Sequence, residues 1–180
     1  MKKVLFIFLS VSVFSVAVAC GNGGGNEDEA SDTKIIEPDR VLTVEDVRNV
    51  GAKANKEYDV ADLPGALSAW RAIFDKKDFE LRFYEDQSSA INLGTEWVES
   101  TTGEDAAIKG DEVMWDEGKR DRRRCSRGAE TPHSGCSYSA RYFDYMIVGN
   151  MILMCEGYTS DESIGNCKQL LDAMGNANSN

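Results

Sequence analysis

A chain of 180 residues, 42% of them hydrophobic, has enough length and apolar content to bury a single core. Its formal net charge of −11 excludes functions that run on neutralising phosphates, so nucleic acid is not an expected partner. One histidine in the whole chain argues against imidazole metal sites and against Ser-His-Asp catalysis, and no cofactor signature appears.

Chain order begins with Lys2 and Lys3 as a positive n-region, then an uncharged apolar run from Val4 to Val16, then the small residues Ala17-Val18-Ala19. The run is shorter than the roughly 20 residues of a membrane span, so residues 1–19 are expected to form a signal peptide. Ala17-Val18-Ala19-Cys20 resembles the lipobox of bacterial lipoproteins, with Ala17 standing where Leu is usual. The resemblance covers residues 1–20 and implies lipid on the Cys20 thiol, cleavage ahead of it and export to a membrane-anchored location. Gly21 is not Asp, which by the sorting pattern of such lipoproteins implies the outer membrane where a cell has two, and the cell membrane otherwise. Residues 20–37 are expected to be a lipidated cysteine and a disordered tether, because the Gly, Asn and acidic stretch GNGGGNEDEASDT cannot bury apolar surface. Random-coil scaling gives such a tether a reach on the order of 20 Å. Cysteine parity agrees: five cysteines leave one over in an oxidising compartment, and assigning Cys20 to lipid leaves an even set.

Residues 38–175 are expected to form one domain, with residues 176–180 as a frayed tail. Thr43 as N-cap, Glu45 and Asp46 in the first turn, and Val47, Val50 and Ala54 on one face predict a short helix. Asp62 and Pro64 followed by Leu63, Ala66, Leu67, Trp70, Ile73 and Phe74 at three-four spacing predict a second. The period then becomes two: Phe79, Leu81 and Phe83 against Glu80 and Arg82 predict a half-buried strand. Asp86 caps a further helix striped by Ala90, Leu93, Gly94 and Trp97, broken at Thr101 to Gly103; residues 104–118 fit a short helix or a loop. Tyr142–Val148 and Met151–Cys155, split by Gly149-Asn150, predict a hairpin. A last helix from Asp161 carries Ile164, Cys167, Leu170, Leu171 and Met174 on one face. Together these predict an α+β fold, a small and largely antiparallel sheet with helices packed on one face. FELRFYEDQSSAINLG and YFDYMIVGNMILMCEG are similar to stretches of uncharacterised bacterial lipoproteins, which implies no activity.

Disulfides Cys125–Cys136 and Cys155–Cys167 are the preferred pairing, with two other connectivities open. A zinc site is disfavoured because both spacings lack short paired knuckles, so no metal is expected. His133 lies near Cys136 and Ser134, but a loop holding Pro132 and Gly135 positions reacting groups poorly. Glu96, Glu99, Glu104, Asp105, Asp111, Glu112, Asp116 and Glu117 read as a solvated acidic face; a pair of them could also serve a glycosidase. Trp70, Trp97, Phe79, Phe83, Tyr142, Phe143 and Tyr145 read as packing. Lys119, Arg120, Arg122, Arg123, Arg124 and Arg127 form a basic stretch in an acidic chain, a candidate contact for an anion or a partner. It is set against neutralisation in place by Asp116, Glu117, Asp121 and Glu130.

The expected function is therefore an envelope lipoprotein with a small binding or accessory domain and no catalytic signature. Its expected partners are membrane lipid through Cys20 and another envelope protein. The alternative is an exported hydrolase that uses acidic residues on a glycan or cell-wall substrate. A third reading, a solute-binding lipoprotein, is set against the chain's size, because cleft-type binders generally need two domains.

Overall fold

The structure is a computed structural model describing residues 34–38, 40–124 and 139–177. Residues 1–33, with the signal peptide, Cys20 and most of the tether, lie outside the described residues. So do Cys125, Arg127, Glu130, His133, Ser134, Cys136 and residues 178–180.

Along the chain run β1 (Ile35–Ile36), α1 (Val44–Asn49), β2 (Lys53–Tyr58), β3 (Ser68–Phe74) and β4 (Lys77–Phe83). Helix α2 follows in three pieces, Gln87–Ser89, a π-helical turn Ala90–Gly94 and Thr95–Glu99. Then come a 3₁₀ turn at Gly110–Glu112, β5 (Arg123–Arg124), β6 (Ser139–Ala140), β7 (Tyr142–Val148), β8 (Met151–Glu156) and α3 (Ser160–Ala177). The fold is α+β: a six-stranded sheet in the order β1-β7-β8-β4-β3-β2, antiparallel except that β1 runs parallel to β7. Strands β5 and β6 form a separate pair. Among the described residues no helix is long and apolar enough to cross a membrane.

Three predicted elements follow from local chemistry. Asp86 accepts a hydrogen bond from the Ser89 backbone N–H at 2.7 Å and starts α2. Thr43 precedes α1, its own N–H donating to Asp46 Oδ2 at 2.7 Å. In the β7–β8 hairpin only Gly149 uses positive φ, at 54°, and a Cβ there would press on the Pro38 ring. Asn150 works differently. Its amide, 5% exposed, accepts from Leu42 N at 2.7 Å and donates to Leu42 O at 3.0 Å and Tyr84 O at 3.1 Å. One side chain thus fastens the lead segment before α1 to the centre of the sheet. Asn150→Ala leaves three buried backbone groups short of a partner and should cost roughly 2–4 kcal/mol, read from urea unfolding. A loss below about 1 kcal/mol would show that the clamp is dispensable.

The second predicted helix is a strand. Leu63 N donates to Val60 O and Ala66 N to Leu63 O around Pro64, forming a turn, and Ser68–Phe74 then pairs along its length with β4. The reason is coverage of both sheet faces. Ala72 packs into one core and Ala69 into another, so apolar residues fall on both sides and mimic helical spacing. Asp75 and Lys76, at φ 45° and 64°, close the β3–β4 turn in the geometry that two-residue hairpins prefer. Strand β2 escapes prediction because KANKEY alternates no apolar residues. It is an edge strand whose exposed Lys53, Lys56 and Glu57 discourage further pairing.

Strand β4 is not half-buried either. Phe79, Leu81 and Phe83 face α1 and α3, where Val47, Cys167 and Leu170 complete the core. The opposite face carries Glu80 and Arg82, both 0% exposed, with Tyr84, Ile152 and Met154 beside them under Ala90 and Val98 of α2. Helix α2 and the segment after it are a second cover that the sequence pattern does not reveal. The Cys155–Cys167 disulfide, with 5.5 Å between Cα atoms, ties α3 to the sheet. Ile35–Ile36 also belong to the sheet, so the folded unit reaches back into the stretch assigned to the tether.

Candidate functional site

Between its β1 pairing and α1, the lead segment forms a strap. Ile147 N donates to Lys34 O and Gly149 N to Ile36 O, each at 2.7 Å, and Asn150 holds Leu42 at the other end. Beneath the strap lies a cavity of about 460 Å³, the size of a small-molecule pocket. The strap contributes Ile36, Pro38, Arg40 and Leu42; Val148 of β7 forms the floor; Leu171, Met174 and Gly175 of α3 form the far wall. Apolar atoms dominate, because Val148 and Leu171 belong to the same core face of the sheet and helix that buries Leu42 and Met174.

Among the described residues Arg40 is the charged side chain of this lining. Its Nη1 pairs with Asp46 Oδ1 at 2.6 Å. Burial alone would raise the Asp46 carboxyl, but hydrogen bonds from the Thr43 backbone and from Arg40 outweigh it and hold the carboxyl below its ordinary value. Arg40 is thereby held at the rim. Among the described residues the lining offers no nucleophile and no acid–base pair, and what these residues can do chemically is bind an apolar group beside a cation.

A second polar cluster lies on the opposite sheet face and is wholly internal. Glu80 Oε1 accepts from Arg82 Nε at 2.9 Å and Oε2 from Arg122 Nε at 2.8 Å. Arg122 also donates to Trp115 O at 3.1 Å, and both guanidinium groups lie over the Trp115 ring, 5.2 Å and 4.3 Å from its centroid. Burial, opposed by Glu80 and reinforced by Arg122, pushes Arg82 below its ordinary value. Next to it Arg71 grips Asp78 through two nitrogens, and Arg141 adds a contact at 2.8 Å. Asp121 accepts from Lys56 at 2.7 Å and Tyr58 at 3.0 Å, which outweigh its burial and lower its carboxyl.

The basic stretch is therefore mostly turned inward where it is described. Arg122 is 1% exposed on Glu80. Arg124, 8% exposed, donates to Gly157 O at 2.6 Å and stacks on the Tyr158 ring, while Arg123 Nε donates to Ile108 O. Lys119 pairs with Asp116 at 2.7 Å, and Arg120 is exposed. Of its expected neutralisers Asp116 takes that part, whereas Asp121 pairs with Lys56. The acidic residues stay dispersed. Glu99 accepts from Tyr145 OH, and Glu96, Glu104, Asp105, Asp111 and Glu112 are exposed. Among the described residues no three His, Cys, Asp or Glu side chains gather as a metal site. Phe79, Phe83, Tyr142 and Tyr145 are buried, and Trp70 and Trp97 pack against the cores.

Sequence reasoning misses the pocket. Its one available signal is the apolar cluster Ile35, Ile36, Pro38, Val41 and Leu42 between an acidic stretch and a helix cap.

Compared with known proteins, residues 43–176 match the model of a family of unknown function, DUF6810. Neither a curated protein nor a solved structure matches the chain.

Proposed function

The chain belongs to the DUF6810 family, and we propose that it is an exported lipoprotein, anchored through Cys20, whose α+β domain binds a ligand in the pocket beneath the strap. The observation that carries the reading is the apolar cavity at the point where the lead segment joins the domain. Leu42, Val148, Leu171 and Met174 offer an apolar wall that gains from being covered by a hydrocarbon ligand. The lipobox resemblance, the acidic Gly-rich stretch and the cysteine parity support the anchor. Binding rather than turnover fits a lining whose described residues offer a cation and no reacting group.

Replacing Cys20 with Ala in the full-length chain should move the protein from the membrane fraction to the soluble fraction. The acyl mass on the N-terminal peptide should vanish with it. A wild-type N-terminal peptide that carries no acyl group would overturn the anchor.

A further inference from the structure

We infer that the pocket beneath the strap takes a single-chain amphiphile with an anionic head, a long-chain carboxylate seated tail inward with its head beside Arg40. The inference deepens the binding function just proposed and rests on it. Three observations carry it.

The first is shape. At about 460 Å³ the cavity stands in the lower half of the usual range for small-molecule sites, suited to one alkyl chain and too small for a two-chain lipid. The second is the wall. Leu42, Val148, Leu171 and Met174 present hydrocarbon and a thioether, and Gly175 leaves open space where a Cβ would stand. Gly175 is within α3, where Ala would favour the helix by up to about 1 kcal/mol. The bare position therefore widens the cavity at some expense to the helix. The third is charge. Arg40 engages Asp46 through Nη1, and a guanidinium carries five N–H donors in a fork suited to a second carboxylate. Asp46 is already held by Arg40 and the Thr43 N–H, so the polar groups an incoming head would meet are the remaining guanidinium N–H donors, which suit a carboxylate. In an anchored chain a tether of about 20 Å would keep the pocket close to the bilayer, where single-chain amphiphiles partition.

The test uses the full-length protein in phosphatidylcholine vesicles. A palmitate-length carboxylate with a diazirine at its tail is added and photolysed, and labelled peptides are identified by mass spectrometry. The alcohol of the same length is the comparison probe. Labels should fall on peptides holding Ile36 to Leu42 and Leu171 to Met174. Leu171→Trp, which fills the cavity, should lower that labelling at least about tenfold. Arg40→Gln, a rim change that spares the core, should erase the preference for carboxylate over alcohol, about tenfold in half-saturating concentration. Equal labelling by both probes in the wild type would overturn the anionic head. Labels spread over the surface and indifferent to Leu171→Trp would overturn the pocket, as would absence of labelling in a protein with its Cys155–Cys167 bond intact. Cys20→Ala should be labelled at the same peptides, so loss of the anchor and loss of the site are separate results. Labelling that appears only in Cys20→Ala would make the protein's own lipid the occupant and overturn the proposal.

Discussion

Replacing Glu80 with Gln should lower the unfolding free energy by about 3–5 kcal/mol, the usual cost of removing one partner from a buried ion pair. Gln keeps the shape and one acceptor, so what disappears is the counter-charge shared by two guanidinium groups. Arg82 and Arg122 are 0% and 1% exposed, and neither can turn to water without dismantling the face of the sheet under Trp115. An arginine does not shed its proton as a buried lysine does, so relief by deprotonation is closed. The measurement is chemical unfolding of wild type, Glu80→Gln and a triple variant with Glu80, Arg82 and Arg122 replaced by Leu, Met and Met. The triple variant should lose less than the single one, because an apolar set leaves no charge unpaired. A loss under about 1 kcal/mol in Glu80→Gln would mean that solvent reaches these arginines and that the cluster is not sealed.

Replacing both Cys155 and Cys167 with Ala should remove about 3 kcal/mol, the chain-entropy value for a bridge closing a loop of this size. Ala is the informative substitution, because both sulfurs are fully buried and a serine hydroxyl would add its own burial cost. The bond joins the central strand β8 to α3, which also forms the far wall of the pocket. Its loss should therefore loosen α3 before the sheet, with faster amide exchange at Leu170 to Met174 than at Leu153 or Leu81. If the double variant unfolds within about 1 kcal/mol of the oxidised wild type, packing alone holds the helix and the bridge is incidental.

The last helix is legible because one side of it meets water and a single apolar stripe marks the other. The Tyr142–Cys155 hairpin, buried on both faces, is legible because a turn pair splits two apolar runs. Ser68–Phe74 misleads because covering both faces of the sheet erases the alternation that marks a strand. Glu80 and Arg82 mislead in the opposite sense: alternation is present, but the polar half of it is buried too. Its partner Arg122 comes from a distant stretch that looks like surface charge. No local pattern can place that residue, since the pairing is made by the path of the chain from α2 to β5. The pocket is illegible for a related reason, its wall being split among the strap, one strand and one helix far apart in the chain.

The strap has a mechanical consequence. In a chain held from its N-terminal side, any pull reaches the domain at β1, a grip of two residues on β7. Such a grip peels before it breaks anything central, and the next firm hold is Asn150 on Leu42. Releasing the segment from Lys34 to that clamp would lengthen the leash by on the order of 25–30 Å at full extension. The domain thus carries spare line, and drawing it out removes the edge strand β1 and the outer wall of the pocket while the other five strands stay paired.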